Sequence, residues 1–197
     1  MSKEQIAFWS VGGLNTRVNA VETRTQLNEE NIILLNEQVG DVDVAVFPQV
    51  YGSFSSTETQ SIPNAGNGTT LTFDTTDIAN ECSLVNPPSS ALLTVNHTGV
   101  YRVLFSIQLN RTGVGNGTVY AYPVVNGDPV PNSTSKMSIN NNEEDVMTVE
   151  FILSLTADQY FGINCYSPTA NQEALAIPAF SVNPATPSII LTLNRIA

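Results

Sequence analysis

The chain has 197 residues, with 18 acidic against 7 basic side chains and a net charge of −11. Such a charge repels phosphate backbones and anionic membranes at long range, which argues against nucleic acid as a partner. Charged residues make up 13%, well under the roughly 25% usual for a soluble domain, so the surface must be neutral and polar, rich in Asn, Thr and Ser.

Taken from the N-terminus, "MSKEQIAFWSVGG" has no apolar core of signal-peptide length. No later run approaches the roughly 20 apolar residues that span a bilayer. The expectation is therefore no membrane insertion and no entry into the general secretory route. Residues 1–13 do hold Ile6, Phe8 and Trp9 within four positions, ahead of Gly12 and Gly13. Large aromatics of this kind either anchor a chain to a larger body or cap the element that follows.

Across residues 14–46, a spacing of alternately four and three links Leu14, Val18, Val21, Thr25, Asn28, Ile32, Leu35, Val39, Val42 and Val46. That is a heptad seam, and polar Thr25 and Asn28 in its middle are the kind of interruption that fixes register. It predicts an α-helical coiled-coil stalk, with a single amphipathic helix packed on its own domain as the alternative. The seam does not by itself count strands. Pro48 ends the helical pattern, since proline lacks the amide a helix needs.

From Tyr51 onward the chain reads as β-runs of five to ten residues punctuated by Gly, Pro and Asn. "TTLTFDTT" alternates first and "ALLTV" follows. In "TGVYRVLFSIQLNRTG", Tyr101, Val103, Phe105, Ile107 and Leu109 occupy one face, while Arg102, Ser106, Gln108 and Asn110 occupy the other. A two-residue period marks a half-buried strand, with Gly99 and Gly113 read as its turn residues. Next come "TVYAYPVV", the Asn-Gly turn signal of "NGDPVPN", and the alternation Met147, Val149, Phe151, Leu153, Leu155. "QYFGINCY" and "PSIILTLNRI" complete seven to nine short strands with no helix between them. This predicts an all-β antiparallel sandwich or jelly roll over residues 47–197.

The segment "TGVYRVLFSIQL" resembles the Gly-x-Tyr-x-x-x-Phe strand of the complement C1q and tumour-necrosis-factor-like jelly rolls. "VVNGDPV" and "VEFILSLTADQYFGINC" are similar to that family's later hairpin and strand pair, and agreement by letter falls on Gly99, Tyr101, Phe105, Asn126, Gly127 and Leu155. The resemblance implies a homotrimeric jelly-roll head behind a stalk, which is where the heptads lie. In flavour the chain also resembles head domains of spore-surface, bacteriophage and large DNA virus proteins.

Candidate chemistry is sparse. His97, the one histidine, has no nucleophile-elbow motif to serve and reads as a turn or rim residue. Glu143, Glu144 and Asp145 read as a solvated loop rather than a calcium site, because their spacing matches no EF-hand. Cys82 and Cys165 lie far apart without a ligand cluster and read as two buried thiols rather than a disulfide. Asn67, Asn96, Asn110, Asn116 and Asn132 begin Asn-x-Ser/Thr sequons, about as many as this composition produces by chance. The resulting expectation is a non-enzymatic structural and binding protein with no cofactor and no metal. It would be a homotrimer on a virion surface, held to capsid or other virion proteins through Ile6, Phe8 and Trp9, and in contact with a host-surface glycan or protein. A soluble C1q-like recognition module is the alternative.

Overall fold

The computed structural model describes residues 22–28, 48–64, 66, 68–87 and 90–197. The anchor residues Ile6, Phe8 and Trp9 lie outside the described residues, as do the seam residues Leu14, Val18, Val21, Ile32, Leu35, Val39, Val42 and Val46. The chain divides into two compact units, 1–46 and 47–197. Within the first, residues 22–28 are helical, with Thr25, Leu27 and Asn28 exposed.

The second unit is built from strands β1 (Tyr51–Ser56), β2 (Gln60–Ile62), β3 (Thr69–Thr70), β4 (Thr75–Asn80), β5 (Cys82–Leu84), β6 (Leu93–Val95) and β7 (Gly99–Arg111). The remainder are β8 (Gly117–Val125), β9 (Asp128–Pro129), β10 (Ser135–Ile139), β11 (Glu144–Leu155), β12 (Tyr160–Tyr166), β13 (Gln172–Ala174) and β14 (Ile189–Arg195). They form two seven-stranded antiparallel sheets. The first runs β2-β13-β7-β14-β1-β4 with β11 on the far edge of β7. The second runs β10-β8-β12-β6-β5, with β3 paired to β12 and β9 to β8.

The order of crossings makes this a jelly roll. The chain passes from β6 to β7, from β7 to β8, from β10 to β11, from β11 to β12 and from β12 to β13, and each passage changes sheet. Ladder partners are consequently remote in sequence, such as β1 with β14 and β8 with β12. Crossings between two packed sheets of this kind are the Greek-key signature of a jelly roll.

Its centre is β7, whose two-residue period decides everything packed on it. Tyr101, Val103, Phe105 and Ile107 are completely buried, while Arg102 is exposed and Leu104, Ser106, Gln108 and Asn110 are half-buried. Phe105 stacks on Phe151, ring centroids 5.9 Å apart. Leu153 and Leu155 of β11 are buried, and Val149 and Phe151 pack against the same cluster. The opposite sheet supplies Val119, Ala121, Phe161, Ile163 and Cys165, all at 0% exposure. Tyr101 is the one core side chain here with a polar end, and its hydroxyl donates to the His97 carbonyl at 2.5 Å, as a buried phenol requires.

Three local readings change. The run "TTLTFDTT" is not one strand: Thr69–Thr70 joins the second sheet, Phe73 bridges to Ser90, and Thr75 begins β4 of the first sheet. Alternation alone does not say when a chain changes layer. Gly99 lies inside β7, opposite Leu155. A Cβ there would strike the Ala197 carbonyl and the Arg195 side chain, so close approach of the C-terminus, not turn chemistry, requires glycine. Finally, Glu144 and Asp145 open β11 instead of lying in a loop, although both stay exposed. The Asn-Gly signal holds as read: Asn126 and Gly127 both have positive φ, 52° and 89°, and join Val125 to its partner Asp128 in the geometry that favours this dipeptide.

Among the described residues its core runs from Val50 to Leu193, and the second unit is expected to fold without residues 1–46. Deleting them should leave the β-sheet circular dichroism intact; complete loss of that signal would show that the first unit completes the core.

Candidate interaction face

The outer face of the first sheet is set by the same alternation that builds the core. Cross-strand register places its outward side chains in rows. One row runs Asn80, Tyr51, Asn194, Arg102, Ile152; the next runs Ile78, Ser53, Thr192, Leu104, Glu150; a third contains Ser55, Ile190, Ser106 and Thr148. Five strands at about 4.8 Å spacing and eight residues of β7 at about 3.3 Å rise give a face on the order of 19 by 27 Å.

On it Ile152 is 58% exposed and Ile78 56%, with Val146, Tyr51 and Ile190 also open to solvent. Several polar groups between them are already engaged. Arg102 donates to Glu150 at 2.5 Å. Ser53 and Ser55 donate to the Asp77 carboxylate at 3.2 and 3.1 Å, and the Ser106 and Thr148 hydroxyls lie 2.8 Å apart. Arg102 and Glu150 neutralise one another, so a partner can cover that pair without stranding a lone ion, the step that otherwise makes such burial expensive; Asp77 is held by the two serine hydroxyls. Exposed apolar side chains thus recur across the face from β4 to β11, with polar side chains between them.

The residues singled out for chemistry do not converge. His97 is half-buried in the β6–β7 turn with its Nε2 3.5 Å from Glu81 Oε2. Asn96 donates to the same Glu81 carboxylate at 3.0 Å. Glu143 accepts a bond from Asn140 at 2.7 Å, and among the described residues no group of three His, Cys, Asp or Glu could hold a metal. Asn96, Asn116 and Asn132 are exposed. Asn110 is half-buried in β7 and donates to Glu173 at 2.6 Å, while Asn67 lies outside the described residues.

Both cysteines are free and buried. Cys82 donates to the Tyr51 carbonyl at 3.1 Å, and burial pushes its thiol up to about 11. Cys165, wholly enclosed, is pushed up by burial to about 12. A raised thiol keeps its proton in the folded state while the unfolded chain loses it above about pH 9, so stability falls as pH rises from there toward 12. Between pH 8 and 10.5 Cys165 alone should remove about 2 kcal/mol. Urea unfolding of parent and Cys165→Ala at both pH values checks this, the variant showing the shallower loss; equal losses would reject it.

Two features had only a weak signal in the sequence. Between Glu173 and Arg195 there is no charged residue, and the loop joining β13 to β14 carries Phe180 at 78% and Val182 at 92% exposure. Bridges Ile177 to Thr186 and Phe180 to Asn183 make this loop a narrow hairpin. At its base lies a groove of about 570 Å³ bordered by Thr57, Glu58, Asp77, Ile177 and Pro187. A second groove of about 420 Å³ runs between β10 and β11, lined by Met137, Val146, Met147 and Val149.

No protein-family model and no curated protein matches the chain. Among solved structures it is similar to murine APRIL at pH 8.5, with a TM-score of 0.45 and 8% identity over 75% of this chain and 99% of that one. It is also similar to Eiger TNF from S. frugiperda, with a TM-score of 0.46 and 10% identity over 77% of this chain and 94% of that one.

Proposed function

We propose that the chain is a non-enzymatic binding and structural protein: a homotrimer in which the outer face of the first sheet is the contact between heads. The observation that carries this is the set of exposed apolar side chains Tyr51, Ile78, Ile152 and Ile190 on a face whose Arg102 and Glu150 neutralise one another. The stalk at 14–46 would raise the effective concentration of the heads.

The setting we propose is a virion surface, with residues 1–13 as the attachment to capsid or other virion proteins. Its support lies in the sequence: a head with few charged residues, rich in Asn and Thr, and Ile6, Phe8 and Trp9 ahead of Gly12 and Gly13. Sedimentation is expected to give about three times the 21.2 kDa chain mass. Electron microscopy of source particles labelled against the head tests the setting. A monomer at micromolar concentration would overturn the assembly, and unlabelled particles would overturn the setting while leaving the trimer.

A further inference from the structure

The outer face of the second sheet has a different chemistry. Val119, Ala121, Ile163 and Cys165 point into the core at 0% exposure, which turns Thr118, Tyr120, Tyr122, Asn164 and Tyr166 outward, all half-buried. Register sets Lys136, Tyr120 and Tyr166 in one row across three strands, and Tyr122, Asn164 and Thr70 in the next. The Tyr120 and Tyr166 rings stack at 6.3 Å with an interplanar angle of 26°. Asn164 Nδ2 donates to the Tyr122 hydroxyl at 2.9 Å, fixing the second row. The two rows form a rigid patch roughly 10 by 7 Å, by strand spacing and rise.

The strands beneath this patch are poor in charge. The chain has 18 acidic residues, yet none lies on β3, β8, β10 or β12, and the one charge on those strands is Lys136. In a protein of net charge −11, these strands therefore present a neutral-to-positive strip. Flat aromatic area interleaved with amide and hydroxyl groups suits a ligand with apolar C–H faces and many hydroxyls. Tyrosine meets both needs, because its ring is apolar and its end is a donor and acceptor. A protein partner would be met better by a desolvated apolar pocket than by these tyrosine and amide rows.

We infer that this Tyr120–Tyr166–Tyr122–Asn164 platform binds an oligosaccharide bearing an acidic sugar, with sugar rings laid on Tyr120 and Tyr166, hydroxyls bonded to Asn164 and Tyr122, and the acidic group placed at Lys136. The inference rests on the binding-protein part of the proposed function and not on the oligomeric state. The face lies on the other sheet from the proposed contact between heads, so both can be occupied together.

The test is titration calorimetry of the full chain with soluble oligosaccharides, sialylated or uronate-containing, against their neutral counterparts. A solution titration counts sites one by one and is blind to avidity. The parent is expected to bind the acidic set more tightly. Tyr120→Ala with Tyr166→Ala should weaken that binding at least tenfold, whereas the Tyr120→Phe, Tyr166→Phe pair retains stacking and most of the affinity. Lys136→Gln, exposed and outside the core, should reduce acidic ligands to the neutral level without altering the melting temperature, and so reads the site even where the double alanine variant folds poorly. Sedimentation of the same samples separates the two readings: binding by a monomer supports the platform and overturns only the assembly. Absence of heat with every acidic glycan, parent-like binding by both the alanine pair and Lys136→Gln, or tyrosine-dependent capture of a protein with no glycan bound would each overturn the inference.

Discussion

Replacing Phe105 by Ala is expected to lower the unfolding free energy by about 3–5 kcal/mol, the usual cost of emptying a large aromatic site in a packed core. The ring is completely buried at the middle of β7, opposite Val149 on one side and Leu191 on the other, and it stacks on Phe151 at 5.9 Å. Losing it opens a void beneath both neighbours and removes an aromatic pair worth roughly a further 0.5–1.5 kcal/mol. In a chain of this size the melting temperature should fall by about 6–20 °C. Ser106→Ala, one residue along and outward, is the control. It loses only the hydroxyl contact with Thr148 and should stay within about 0.5 kcal/mol of the parent, as surface changes do. Equal effects at both positions would mean that the two faces of β7 had been assigned the wrong way round.

The second large effect concerns assembly. Placing Asp at both Ile78 and Ile190 puts two carboxylates on the proposed contact face, opposite Ser53 and Ser106, which carry no compensating charge. An unpaired buried ion costs several kcal/mol even after relaxation. The pair should therefore raise the dissociation constant of the trimer by at least about a thousandfold, equivalent to roughly 4 kcal/mol. Analytical ultracentrifugation across a concentration series measures it, and far-ultraviolet circular dichroism should be unchanged because both side chains point away from the core. If the variant stays assembled at the parent's concentrations, the contact lies elsewhere, and the β10–β11 groove with its Met137 and Val149 becomes the surface to mutate next.

What the amino-acid sequence determined by itself is local. A period of two along β7 and β11 was enough to divide inward from outward side chains, because successive strand residues must point to opposite faces whatever the strand packs against. The Asn126-Gly127 turn was equally legible, since positive φ at two consecutive positions selects those residues almost alone. Tyr101, Phe105, Phe151 and Leu153 could be placed in the core on that basis; Tyr101, Phe105 and Leu153 are buried there, while Phe151 packs against the same cluster only partly buried.

Only the tertiary structure decided which strands share a sheet. The split of "TTLTFDTT" between layers and the long ladder of β7 with β11, more than thirty residues apart, depend on contacts that no local pattern encodes. The same holds for Gly99, whose reason is the arrival of Ala197 at the other end of the unit. Both interaction faces belong to this class. Tyr120 and Tyr122 are two ordinary outward residues of one strand and Tyr166 an outward residue of another. They become a platform only because β8 lies beside β12 in one particular register, and a slip of β8 by one residue would have turned Tyr120 and Tyr122 into the core.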